Sequence, residues 1–364
     1  MDPLLVVIVS FGLIFVVTAS LGQGLGVARA SMGPPLKAHS QLNVMLLIST
    51  FIVVPAIVIG LGALLPFSDQ VKMAIIVLGI CGGAPFVPWL VSLAKGNVGY
   101  GAAATTMLLL ATLIVLPLAV PALENALGTG ADVTAWKVLW PLLLFMLLPF
   151  LIGVLIRSRS LSLTMALGSW LGPVSITFLT AHIVLFIGYS WSDFVSIAGY
   201  GQMAYSLVFP LVGMLVGYLL SPPYVLNVGP APDSHRGSKI VSAVAVAQQN
   251  TGAVICCAIF AFGKFTVAGD MMLLGAIVTI VVVMLTMAEL GARFEKKQNL
   301  TPSVPAPALL VAASVAPIAP SAPAVQAPAP AAAPASHPEP AQSAPPPAPT
   351  PPTAAPRQAA QGDN

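Results

Sequence analysis

Gly79-Ile80-Cys81-Gly82-Gly83-Ala84-Pro85-Phe86-Val87-Pro88 interrupts one apolar segment at its centre, and Ala245-Val246-Ala247-Gln248-Gln249-Asn250-Thr251-Gly252 interrupts another. The two breaks hold corresponding positions in the two halves of the chain. Inside hydrocarbon every backbone N–H and C=O must find a partner, so an unwound stretch persists only where protein encloses it or it lines a cavity. Taken alone, the first break reads equally as a kink packed on a neighbour. The second, with four consecutive polar residues at mid-segment, tips the reading toward a lined cavity. A matched pair of this kind points to the binding site of a secondary transporter. The candidate solute-binding residues are therefore Gly83, Pro85, Gln249, Asn250 and Thr251.

The composition agrees. Of 364 residues 57% are hydrophobic and 7% charged, against about 25% charged in soluble domains. The apolar runs are roughly 20 residues long, which fits membrane-spanning helices and not the shorter strands of a barrel. An all-α integral membrane protein follows. Cys81, Cys256 and Cys257 lie inside apolar segments, so no disulfide framework is implied. No Lys/Arg run interleaves with aromatics, so no nucleic-acid partner is expected. Ala28-Arg29-Ala30 resembles a leader cleavage site, but Met1-Asp2-Pro3 lacks a basic n-region, and the first segment is expected to stay.

Nine spans are expected, at about 4–27, 42–66, 72–94, 98–121, 134–156, 162–189, 194–221, 239–262 and 267–290, with a minimum of about 20 residues each. With the N-terminus outside, the inner loops hold Arg29, Lys37, Lys95, Arg157, Arg159, Arg236, Lys239, Arg293, Lys296 and Lys297, and the outer loops Lys72, Lys137 and Lys264. Ten against three places the C-terminus in the cytoplasm, by the positive-inside rule, in a cell (inner) membrane. The breaks fall in spans three and eight, which cross in opposite directions. An inverted repeat of four plus five helices explains this, with span five unpaired. Residues 1–298 form the transmembrane domain. Residues 301–364 hold 18 Pro and 21 Ala, so 299–364 is expected to be a disordered, polyproline-like cytoplasmic tail with no core of its own.

Gly82-Gly83-Ala84-Pro85-Phe86-Val87-Pro88, Leu93-Ala94-Lys95-Gly96-Asn97-Val98 and Thr105-Thr106 resemble the first broken helix of the bile acid:sodium symporter family, and Gln249-Asn250-Thr251-Gly252 resembles its second. Thr50-Phe51 with Pro55 is similar to a Gln-Phe-x-x-x-Pro stretch in an earlier helix. The resemblance covers roughly residues 1–298 and implies a core domain carrying crossed helices, a panel domain, and a substrate cavity between them. It also implies sodium as coupling ion, but the matching ligand positions here are Phe86, Val87, Ala245, Thr50 and Gly101. Thr50, Thr105 and Gln249 remain as residual sodium-site candidates. A sodium ion at mid-membrane wants several oxygens and usually a carboxylate, and all 11 Asp and Glu are expected in loops, at span ends or in the tail. Sodium coupling is therefore not expected, nor any other cofactor.

Two half-helix N-termini at the midplane favour an anionic or carbonyl-bearing solute. Thr105 reads either as a cavity residue or as a hydroxyl bonded back to the preceding turn. His182 is the one ionisable side chain well inside a span and the candidate proton site, although a histidine satisfied by a neighbouring hydroxyl or carbonyl is the plainer reading. Enzyme motifs are absent. The expectation is a secondary active transporter of a small or amphipathic organic anion working by alternating access. The alternative is a transporter-derived membrane sensor that binds without cycling.

Overall fold

The computed structural model describes residues 2–27, 40–64, 67–130, 132–192, 200–221, 234–263 and 267–298, and every regular element among them is a helix. Of two units, Met1–Ile318 and Ala319–Asn364, the second lies outside the described residues, as does the whole expected tail from 299.

The helices are α1 (Pro3–Gly26), α2 (Ser40–Ala63), α3 (Asp69–Gly79), α4 (Val87–Leu93), α5 (Val98–Leu127), α6 (Ala135–Arg159), α7 (Leu161–Tyr189), α8 (Tyr200–Leu220), α9 (Ser234–Ala247), α10 (Thr251–Cys256, continued through Ala261) and α11 (Val267–Gln298). Seven helical stretches among the described residues are long and apolar enough to cross a membrane: α1, α2, α5, α6, α7, the 237–261 stretch that joins α9 to α10, and α11. The α3–α4 pair is divided by the first break, and 206–220 is a shorter apolar helix.

The helix ends have local causes. Asp2 caps α1, accepting the Leu4 N–H, with Pro3 at the first position where its missing N–H costs nothing. Ala94-Lys95-Gly96-Asn97 is a tight turn between α4 and α5. Lys95 takes a left-handed conformation (φ 58°), and Asn97 Oδ1 accepts the Tyr100 N–H at 2.9 Å to start α5.

Three helices carry a widened π turn, at Ser49–Val53 in α2, Leu142–Leu147 in α6 and Cys257–Ala261 in α10. In the first two a proline, Pro55 or Pro149, stands two residues after the last residue of the turn. Each removes one ladder hydrogen bond and crowds the carbonyl four residues back, and the turn before it opens. The π turns of α6 and α10 meet, with Phe145 and Phe260 stacked at 5.6 Å and Trp140 edge-on to Phe260 at 4.8 Å.

The helices sort into two groups. α1 packs on both α6 and α7, which also touch each other; α2–α5 and α8–α11 interlock around the two breaks. Lipid offers no hydrophobic drive between helices, so close backbone contact carries the packing. A Cβ on Gly24 would lie 2.1 Å from the Phe150 carbonyl oxygen, and one on Gly153 would lie 2.3 Å from the Leu21 carbonyl oxygen. The two groups meet where Phe15 of α1 stacks on Phe86 at 5.9 Å and where α1 lies along α10.

Candidate functional site

α3 ends at Gly79 and the chain resumes helix only at Val87; α9 ends at Ala247 and resumes at Thr251. The two gaps meet. The Asn250 backbone N–H donates to the Cys81 carbonyl at 2.6 Å, and its side-chain Nδ2 donates to the Gly83 carbonyl at 2.9 Å. Asn250 Oδ1 accepts the Ala253 N–H at 3.1 Å and so caps α10. From α5, Thr112 Oγ1 donates to the Gly82 carbonyl at 3.0 Å. The unwound backbone of the first break is thus satisfied largely by the second, as its enclosure requires.

Gly83 sits where no side chain fits. Its φ is +82°, and a Cβ there would lie 2.2 Å from the Leu109 backbone nitrogen. Around the crossover several buried oxygens have no hydrogen-bond partner in the protein: Thr50 Oγ1, Gln248 Oε1, Gln249 Oε1 and Thr251 Oγ1. Thr50 lies in the α2 π turn, its methyl 3.0 Å from where a Cβ on Gly82 would stand.

Beside the crossover a cleft of about 60 Å³ runs between the C-terminal half of α1, the middle of α7, and the first break with α4 and α5. Its volume admits water but not a drug-sized solute, whose sites span roughly 300–1,000 Å³. Pro85 and Thr105 line it together, from the break and from α5. Thr105 Oγ1 donates to the Gly101 carbonyl at 2.8 Å, so it is both back-bonded and on the cleft wall.

The profile of the Sodium Bile acid symporter family matches residues 11–197, which is 187 of 364 residues. The chain belongs to this family. No curated protein matches it. Members of the Sodium Bile acid symporter family are membrane transporters and not enzymes. The matched residues include the first break and end before α8, so the pairing of the second break with the first rests on the crossover geometry.

The family name raises the question of sodium. Phe86 and Val87, at two of the positions that the resemblance pairs with sodium ligands, are buried, Phe86 against Phe15. Ala245, at the position where the resemblance implies a membrane-embedded carboxylate, is buried too. What remains for a cation is a set of neutral oxygens led by Thr50 and Gln249, so the residues fit sodium only in part. Among the described residues no three His, Cys, Asp or Glu side chains come together as a metal site. Asp270, one turn into α11, is a buried carboxylate that the sequence marked only as a span end.

Asn250 and His182, both expected at the site, each have partners within the protein. Both ends of the Asn250 amide are taken by backbone groups, and the α10 N-terminus it caps does not offer all its N–H groups to a solute. At α4 the Val87 N–H goes to the Ala84 carbonyl, and Pro88 has no N–H. His182 lies apart from the cleft. Its Nδ1 is 2.9 Å from the Ile8 carbonyl, tying α7 to α1, and a Cβ on Gly12 would touch both its ring and Ile255 of α10. Sequence reasoning passed over Gln23 and Trp89, which line the cleft. An amide among Gly22, Gly24 and Gly26 in an apolar span is the signal that finds Gln23, since polar residues there are rarely idle.

Proposed function

We propose that the protein is a secondary active transporter of a small or amphipathic organic anion, working by alternating access. The observation that carries this reading is the Asn250 bridge between two interrupted helices, set beside a cleft at the junction of two helix groups. Family membership supports it. On this reading α1, α6 and α7 are the panel, the other helices the core, and nine spans arranged as a four-plus-five inverted repeat carry the chain across a cell inner membrane. The excess of basic residues in one set of loops supports an N-terminus outside and a Pro/Ala tail in the cytoplasm. The cleft then opens toward the cytoplasm, because it lies at the C-terminal end of α1.

Rocking of panel against core opens and closes the cleft, with the hydrogen-bonded crossover as the fixed element around which it moves. The solute passes along Pro85 and Thr105, and Gly83, Gln249, Asn250 and Thr251 belong to the crossover behind them, which the solute reaches when the cleft opens. The cycle runs without sodium, driven by protons or by the solute gradient. His182 is the titratable group for the proton route, supported by a buried Nε2 without a hydrogen-bond partner. Uptake of labelled organic anions into proteoliposomes tests the function: accumulation against a gradient is expected, and binding without accumulation makes the chain a sensor instead.

A further inference from the structure

The cleft carries a recognition chemistry that the crossover lacks. No charged side chain lines it, and its polar side chains are Thr18, Gln23, Trp89, Thr105 and Ser175. Three of these are engaged within the protein. Ser175 Oγ donates to Thr18 Oγ1 at 2.9 Å, Thr18 Oγ1 to the Ile14 carbonyl at 2.8 Å, and Thr105 to Gly101. The other two are not. Both polar atoms of the Gln23 amide and the Trp89 Nε1 are shut off from solvent with no hydrogen-bond partner in the protein. Each buried group left unmade costs on the order of 1–3 kcal/mol, and these three belong to opposite walls of one cleft.

We propose that Gln23 and Trp89 form a neutral recognition pair for a single carboxyl or carboxamide head group of the solute. Trp89 Nε1 and Gln23 Nε2 donate to its carbonyl or carboxylate oxygens, and Gln23 Oε1 accepts from a head group that has a hydrogen to give. The rest of the wall suits an apolar body, since apart from the five polar side chains its lining residues are apolar or glycine. Selection then rests on hydrogen bonding and shape rather than ion pairing. A doubly charged phosphate ester loses its hydration with no cation to offset it, and an ammonium finds no carboxylate. This inference rests on the cleft being the solute's path.

The test uses the purified full chain in lipid nanodiscs and four probes on one ring: cyclohexanecarboxylate, cyclohexanecarboxamide, cyclohexyl phosphate and cyclohexylammonium. Calorimetric titration should show the first two binding at least about tenfold more tightly than the others. Gln23→Leu and Trp89→Phe should each weaken the carboxylate and the carboxamide about tenfold, the equivalent of one hydrogen bond. Both variants remove an unpaired buried group, so their melting temperatures should hold or rise, which separates lost recognition from lost folding. Unchanged affinities in both variants overturn the pair, as do preference for the phosphate or ammonium and failure of the wild type to bind either carbonyl probe. Uptake of labelled cyclohexanecarboxylate separates the two ideas. Affinity lost in the variants without uptake by the wild type keeps the pair and removes the transporter. Uptake with unaltered variant affinities does the reverse.

Discussion

Asn250 Nδ2 donates to the Gly83 carbonyl at 2.9 Å across 167 residues of sequence, so one side-chain amide fastens the two interrupted helices to each other. The same amide's oxygen caps α10. Its two ends therefore serve two different backbones, and the crossover depends on one side chain. Asn250→Leu leaves the Gly83 carbonyl and the Ala253 N–H buried and without this partner. A loss of about 2–4 kcal/mol in stability is expected from two such groups, with insertion retained and transport abolished. Thermal melting in detergent and uptake check this together; a variant that melts and transports like the wild type would show that the bridge is dispensable.

The first break tolerates no side chain at its sharpest point. Gly83→Ala is expected to reduce folded yield severely, because its φ is left-handed and its Cβ would collide with the α5 backbone at Leu109. Gly60→Ala is the control, since nothing lies within 4 Å of a Cβ there. Monodisperse yield on size-exclusion chromatography should separate the two, and equal yields would contradict the close approach.

Replacing sodium by choline at constant ionic strength should change uptake or affinity by less than about twofold. Neutral oxygens alone compensate poorly for the hydration a cation loses in a medium of low dielectric, and Ala245 supplies no carboxylate. A steep sodium dependence would mean that Thr50 and Gln249 build a working site. In that event Thr50→Val and Gln249→Leu should each abolish it.

If protons drive the cycle, the dependence of uptake on pH between about 5 and 8, where histidine ordinarily titrates, should disappear in His182→Gln while the protein stays folded. Retention of the full profile by that variant would assign the proton to another group, with buried Asp270 the first to examine.

The tail prediction is read by thiol labelling. Cys81, Cys256 and Cys257 are all buried, so a single Ala331→Cys reports over a low background. A membrane-impermeant maleimide should label it in inside-out vesicles and not in intact cells. Removing residues 301–364 should leave insertion and uptake nearly unchanged, because a Pro/Ala tract contributes no core contacts. Labelling from outside would invert the topology.

The sequence by itself located the two breaks, the helical membrane class and the family, and for one reason: these are local properties. A run of apolar residues, a Gly-Gly-x-Pro or a Gln-Gln-Asn states what its own backbone can do in hydrocarbon, wherever it ends up. The Ala94-Lys95-Gly96-Asn97 signature is of this kind, since it is simply the turn that stops α4 and starts α5. Even the π turns of α2 and α6 have a local trace in Phe51 to Pro55 and Phe145 to Pro149. What the tertiary structure alone decided is who satisfies whom. Asn250 looked equally suited to a solute or to backbone until Gly83 was found opposite it. His182 read in the sequence as a proton group or as a satisfied histidine, and only the packing of α1 put the Ile8 carbonyl at its Nδ1 and the cleft elsewhere. Gln23 and Trp89 became a pair only when α1 and α4 proved to wall the same cleft. A buried polar group takes its meaning from the partner it has or lacks, and that partner lies far away in the chain.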